Sequence, residues 1–171
     1  MIPVGLEIRT YFGKYPWLDY EAISYIELFL NKDMDLFEWG MGGSTCWYAD
    51  RVKHVYTVES DKFYIEKISG DIKKRNVKNV TIYYKPIKPL KEYTEVITQL
   101  DKKFDVIVVD GQWTTRVACL SEAIPFLKDD GILVCDDFDR SENAFGRELL
   151  KSWEEIIFKS PRHTTMIYKR R

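Results

Sequence analysis

The chain has 171 residues, 45% hydrophobic and 31% charged, with a formal net charge of −1. That is one domain's worth of chain, able to bury a sizeable core without disulfides and too apolar to stay disordered. A balance so close to neutral supplies no global field for holding nucleic acid or an anionic membrane.

Cys46, Cys119 and Cys135 are scattered and odd in number. They fit neither a disulfide framework nor a zinc-ligand spacing and read as small buried hydrophobes. Two histidines, His54 and His163, exclude a His-rich metal site. Residues 1–5 lack the basic start and apolar run of a signal peptide. No stretch approaches the roughly 20 apolar residues of a membrane span. A reducing cytoplasm is the expected compartment.

Short apolar runs alternate with helical segments along the chain, without a repeat or linker. This alternation predicts an α/β fold, a parallel sheet with helices on both faces. Residues 17–30 read as a helix started by Pro16, with Trp17, Ile23, Ile26 and Leu30 on its stripe. A first strand follows at 35–39, then a helix at 44–52 with Ser44 as cap. The second strand is 54–59. The next helix, 60–75, has Tyr64, Ile65, Ile68 and Ile72 on one face. A third strand spans 80–85, and a helix 92–100. Residues 104–110 form the clearest strand, an unbroken apolar run suited to a central position. A helix at 116–127, with Val117, Leu120, Ile124 and Leu127 inward, leads to a fifth strand at 131–136. After a helix at 142–152, residues 155–158 and 164–168 read as strands joined by the turn Ser160-Pro161-Arg162. So short a connection joins antiparallel neighbours. The expected sheet is therefore five parallel strands plus a final hairpin.

The segment Phe37-Glu38-Trp39-Gly40-Met41-Gly42-Gly43-Ser44-Thr45 lies between a strand and a helix. Glycines suit a sharp turn and a ligand that approaches the backbone. Amides at the helix start favour a carboxylate or other anion, and Ser44 and Thr45 add hydroxyls. The spacing is not the dinucleotide Gly-x-Gly-x-x-Gly, since Thr45 stands where the last glycine belongs. Glu38 would repel a pyrophosphate and attract an ammonium group, which points to an amino-acid-bearing cofactor. Glu59 ends the second strand about twenty residues on, where an acid can bind both ribose hydroxyls. Each feature alone also fits a ligand-free turn or a solvated acid. Together, at matching strand ends, they are more specific.

These residues resemble class I S-adenosylmethionine-dependent methyltransferases. The resemblance runs in order from Met34 to the C-terminus. Residues 38–45 resemble the first motif in its Gly-Gly-Ser-Thr variant, with Ser44 in place of the third glycine. Residues 104–111 and 127–137 resemble the fourth- and fifth-strand motifs. The resemblance implies a single Rossmann-like, doubly wound domain over 1–171, with an N-terminal helical segment at 1–33 and a core at 34–171. It implies a seven-stranded, mostly parallel sheet of order 3-2-1-4-5-7-6. Glu38, Gly40, Met41, Gly42, Gly43, Ser44 and Thr45 would serve the methionine part of the cofactor. Glu59 and Ser60 would serve the ribose, and Lys85-Pro86-Ile87 would lie near the adenine. Asp110 and Gly111 would border the cofactor.

For a hydroxyl acceptor, methyl transfer needs alignment and removal of a proton. Candidates lie at 110–113 and 136–140. Their arrangement resembles catechol-type O-methyltransferases, where acids after strands four and five hold a divalent cation. The corresponding positions are Asp110, Asp136 and Asp137, with Asp137 in place of an asparagine. An all-oxygen site suits Mg²⁺, Mn²⁺ or Ca²⁺, which would lower the pKa of the acceptor oxygen. Alternatively, Asp110 only contacts the cofactor and residues 136–139 form an acidic loop with a helix cap. Asp110, Asp137 and Arg116 are the expected catalytic set. Arg116 and Arg140 would hold an anionic acceptor from the rim, or pair with nearby aspartates. Trp113 would stack on a planar acceptor or cover the pocket, while Trp39 and Trp47 read as core.

The first expectation is therefore O-methylation of a small-molecule or sugar-like acceptor. Methylation of RNA or protein is the alternative, with near-neutral charge weighing against RNA. A non-catalytic S-adenosylmethionine-binding protein and a nucleotide-dependent oxidoreductase are further readings. The compact fold leaves little sequence for an acceptor cap, so either the acceptor is large or a second subunit of a homodimer completes the pocket.

Overall fold

The computed structural model describes residues 15–161 and 163–171. Residues 1–14, which carry the expected lack of a signal peptide and much of the N-terminal helical segment, lie outside the described residues, as does Arg162 of the expected turn.

In chain order the elements are α1 (Tyr20–Phe29), β1 (Asp35–Trp39), α2 (Gly43–Ala49), β2 (His54–Glu59), α3 (Lys62–Lys74), β3 (Val80–Tyr84), α4 (Leu90–Thr94), β4 (Phe104–Val109), α5 (Arg116–Ala123), β5 (Leu127–Asp136), α6 (Ala144–Leu149), β6 (Glu154–Lys159) and β7 (Thr164–Lys169). They build one seven-stranded sheet of order β3-β2-β1-β4-β5-β7-β6. Strands β3, β2, β1, β4 and β5 pair in parallel, while β7 runs antiparallel to both β5 and β6. The hairpin is closed by Ser160 N donating to His163 O at 2.9 Å. Among the described residues, no helix is long and apolar enough to cross a membrane.

The apolar runs form central strands because both sheet faces are covered. Alternate residues point to opposite faces. Leu36, Val106, Val108, Ile132 and Val134 enter one core with Ile23, Ile26 and Trp47. Phe37, Trp39, Ile107, Val109 and Leu133 enter the other with Tyr93, Val96, Ile97 and Leu120. Each such aliphatic side chain contributes roughly 1.5–3 kcal/mol by leaving water. The cysteines are free and buried.

Several boundaries differ from expectation for local reasons. The first helix begins at Tyr20, not near Trp17, because the Asp19 carboxylate caps it, accepting from Glu21 N at 2.9 Å and Ala22 N at 3.5 Å. Trp17 is left outside the helix, 68% exposed. The helix expected at 92–100 is α4 followed by a 3-10 turn at Glu95–Leu100. That expected at 116–127 ends early, because Pro125 sits in a 3-10 turn at Ile124–Phe126. Strand β5 therefore starts at Leu127, and the surplus around Asp129 and Asp130 is taken up by a register shift against β4.

Candidate active site

The sheet reverses its winding between β1 and β4, and in open α/β sheets ligands bind outside the carboxyl ends of strands at that point. A cleft of about 510 Å³ opens there. Its floor is the β1–α2 turn, Gly40 to Ser44. Glu59, Ser60 and Asp61 after β2 form one wall, and Asp110, Gly111 and Gln112 after β4 form another. Ile87, beyond β3, closes one end. A second cleft of about 670 Å³ lies between α2 and α3 and holds none of the strand-end acids.

The turn is built for close approach. Gly40 has φ +101°, and a Cβ there would sit 2.4 Å from the Asp110 carbonyl oxygen. Only glycine lets the end of β1 lie this close to the end of β4. At Gly42 an added Cβ would meet only Ser44 Oγ, at 3.6 Å. Gly42 lines this cleft and also the second one.

Two acids hold the turn. Glu59, only 8% exposed, accepts from Met41 N at 3.0 Å through Oε2, and from Ser60 N at 2.6 Å and Asp61 N at 2.7 Å through Oε1. It ties the glycine turn to the start of α3 while facing the cleft. Glu38 is 1% exposed and is not a cleft wall. It accepts from Thr45 Oγ1 at 2.5 Å, and that oxygen accepts from Gly42 N at 3.2 Å. Glu38 thus reaches the turn from below, through Thr45. Burial pushes its pKa from 4.5 up to about 8.

Arg116 is the first residue of α5 and is 8% exposed. Its Nε donates to Gly111 O at 3.0 Å, its Nη2 to Asp110 Oδ1 at 3.1 Å, and its Nη1 to the Asp136 carbonyl. Nη1 also lies 3.7 Å from Asp136 Oδ2. Burial raises the pKa of both Asp110 and Asp136, against the pull of Arg116; a hydrogen bond between the two carboxyls lowers that of Asp110, while the charge of Asp110 raises that of Asp136 further. Asp137 turns away. Its φ is +49°, its amide donates to Thr164 O at 2.7 Å, and its carboxylate pairs with Arg140. Asp139 pairs with Lys159 at 2.9 Å, and that hydrogen bond lowers its pKa.

Of the expected residues, the structure brings Gly40, Met41, Gly42, Gly43, Ser44, Glu59, Ser60, Ile87, Asp110 and Gly111 to one cleft. Glu38 and Thr45 lie beneath it, and Pro86 is not part of its lining. Of the expected cation ligands, Asp110 and Asp136 lie close enough to share a hydrogen bond, whereas Asp137 is turned to Arg140, and among the described residues no three His, Cys, Asp or Glu side chains are grouped to hold a metal ion. The Arg116 guanidinium contacts the first two, and the third pairs with Arg140. Arg116, expected on the rim to hold an acceptor, is buried with its three nitrogens engaged. Trp113 is 55% exposed beside the cleft without lining it.

Gln112 of the 110–113 candidates also lines the cleft, and the structure adds Tyr15, Trp17, Tyr64, Lys67 and Asp61. Trp17 is pinned by its Nε1, which donates to His163 Nε2 at 2.8 Å. Tyr64 and Lys67, three residues apart on α3, share one helix face, a spacing visible in the sequence. Nothing in the helical period around Trp17 marks it as a cleft residue.

The model of the methyltransferase domain family matches residues 37–138. No curated protein matches the chain. Solved structures share the fold at low identity. An rRNA methylase from Streptococcus thermophilus superposes with a TM-score of 0.71 at 13% identity, over 89% of this chain and 96% of that one. A precorrin-6y C5,15-methyltransferase from Geobacter metallireducens gives 0.71 at 16%, over 88% and 87%. A Streptococcus mutans protein assigned as a methyltransferase, solved with S-adenosylhomocysteine, gives 0.69 at 16%, over 99% of both chains. With the family model covering more than half its length, the strand order and the glycine turn at the switch point, the chain belongs to the methyltransferase domain family, as a class I S-adenosylmethionine-dependent enzyme.

Proposed function

We propose that the enzyme methylates a hydroxyl oxygen of a small-molecule or sugar-like acceptor held in the cleft between β1 and β4. The observation that carries this reading is Asp110: a carboxylate on the cleft wall beside Gly40 and Gly111, with its pKa raised by burial. When bound, S-adenosylmethionine supplies an electrophilic methyl group on a sulfonium; the acceptor oxygen forms the new C–O bond as the C–S bond breaks, and S-adenosylhomocysteine leaves. Asp110 takes the acceptor's proton as general base.

Glu59 and Ser60 hold the ribose in this reading. Gly40, Met41, Gly42, Gly43 and Ser44 carry the methionine part. Ile87 and Pro86 lie toward the adenine, and Gly111 borders the cofactor. Glu38 and Thr45 set the shape of the turn from beneath. The cleft volume falls within the range of small-molecule sites. RNA has less support, because a net charge of −1 offers few phosphate contacts.

The test is calorimetry with S-adenosylhomocysteine together with a screen of hydroxyl acceptors for turnover. Glu59→Ala is expected to lose cofactor binding. Asp110→Asn is expected to keep binding within a few-fold and to lose roughly 10²–10⁴ in kcat. Full activity in Asp110→Asn would remove the base from this mechanism.

A further inference from the structure

We propose that Arg116 is a built-in cation that stands in place of a divalent metal ion in the acceptor site. The proposal is independent of which acceptor is methylated. Three observations converge on it. The guanidinium contacts both members of a hydrogen-bonded carboxyl pair, 3.1 Å from Asp110 Oδ1 and 3.7 Å from Asp136 Oδ2. Its Nε and Nη1 are anchored on the carbonyls of Gly111 and Asp136, so the group is fixed in both position and direction. Each remaining acid of the 136–139 run has its own basic partner, Arg140 for Asp137 and Lys159 for Asp139. A divalent ion would have to displace a buried, three-point-bound arginine and strip Asp137 from Arg140.

The chemistry differs from that of a metal. A guanidinium is always charged and donates hydrogen bonds, but it offers no open coordination position for an acceptor oxygen. Arg116 is therefore a positioning residue. It aims Asp110 and neutralises part of the buried charge, and the transfer proceeds without metal.

The swap can be run in reverse. Removing Arg116 leaves the half-buried Asp110 and the buried Asp136 without their cation, which is destabilising unless another cation enters or the pair takes up a proton. Mn²⁺ titrations followed by electron paramagnetic resonance, with thermal melts alongside, are made on wild type, Arg116→Ala, Arg116→Lys and the double variant Arg116→Ala/Asp110→Asn. Wild type and Arg116→Lys are expected to bind no stoichiometric Mn²⁺, and chelator leaves the wild-type melt and S-adenosylhomocysteine affinity unchanged. Arg116→Ala is expected to gain one Mn²⁺ site, roughly tenfold or more tighter than any wild-type binding. Its melting temperature rises as Mn²⁺ is added, and both effects vanish in the double variant. Stoichiometric Mn²⁺ binding by wild type that Asp110→Asn abolishes would overturn the proposal. So would a folded Arg116→Ala that binds no Mn²⁺. If Arg116→Ala folds neither with nor without Mn²⁺, the wild-type titration decides alone. None of these readouts uses turnover, so they stay distinct from a failure of the O-methylation reading.

Discussion

A Cβ at Gly40 would press on the backbone of Asp110 and Gly111 at 2.4–2.9 Å, in a conformation at φ +101° that L-residues rarely adopt. Neither the clash nor the strain can be relieved by a rotamer change, because the atoms in the way are main chain. Gly40→Ala is therefore expected to lower stability on the order of 3 kcal/mol. Gly42 has room for a methyl group and no positive φ. Gly42→Ala is expected to melt close to wild type yet bind S-adenosylhomocysteine at least several-fold more weakly, since its Cβ takes space in the cleft. Thermal melts and calorimetry on the two variants separate a glycine required by the fold from one required by the ligand. A destabilised Gly42→Ala with normal affinity would contradict that division.

At the scale of elements, the start of α1 decides where Trp17 stands. Asp19 caps the helix, and its own amide donates to Thr165 Oγ1 on β7 at 3.0 Å. The cap thus fixes the approach of the preceding segment to the cleft. Asp19→Ala is expected to cost about 1 kcal/mol as a lost N-cap. It is also expected to change the environment of Trp17, read by its fluorescence and by cofactor affinity. An unchanged Trp17 signal would show that His163 alone holds the ring.

The same elements show what the sequence makes legible. Strands β1, β2 and β4, and hence the cleft they end in, follow from apolar runs bounded by Gly40, Glu59 and Asp110. The start of α1 is harder to read, because Trp17 continues the helical period of Ile23, Ile26 and Leu30. Only the cap chemistry of Asp19 breaks that period. The aspartates at the end of β5, Asp136 and Asp137, carry a readable warning. Neighbours on a strand point to opposite sides, so Asp136 and Asp137 meet at one ion only if the chain turns between them. It does turn at Asp137, but toward Arg140. The role of Arg116 was not legible. A rim arginine and a buried one are the same letter, and which of the two results depends on the 3-10 turn at Trp113–Thr115 that carries it beneath Gly111.

For the whole molecule, the consequence of placing acids under the switch point is a particular pH dependence of stability. Glu38, Asp110 and Asp136 all have raised pKa values with burial as the first cause. For Glu38 the ordinary value is 4.5 and the folded value about 8. Below pH 4.5 both folded and unfolded chains hold the proton, and the group is neutral to stability. Between 4.5 and 8 the unfolded chain releases it while the folded chain keeps it, so stability falls as pH rises. Above 8 the folded protein carries a buried carboxylate and the full cost is present, on the order of 3–5 kcal/mol. Glu38→Gln keeps an oxygen for Thr45 Oγ1 and removes the ionisation. Melts at pH 5 and pH 8 are expected to show wild type losing stability with rising pH and Glu38→Gln losing markedly less. The variant is thus the more stable protein at pH 8 even though a buried acid has been replaced. Parallel losses in the two proteins would assign the whole slope to Asp110 and Asp136 and leave Glu38 as an ordinary acceptor for Thr45.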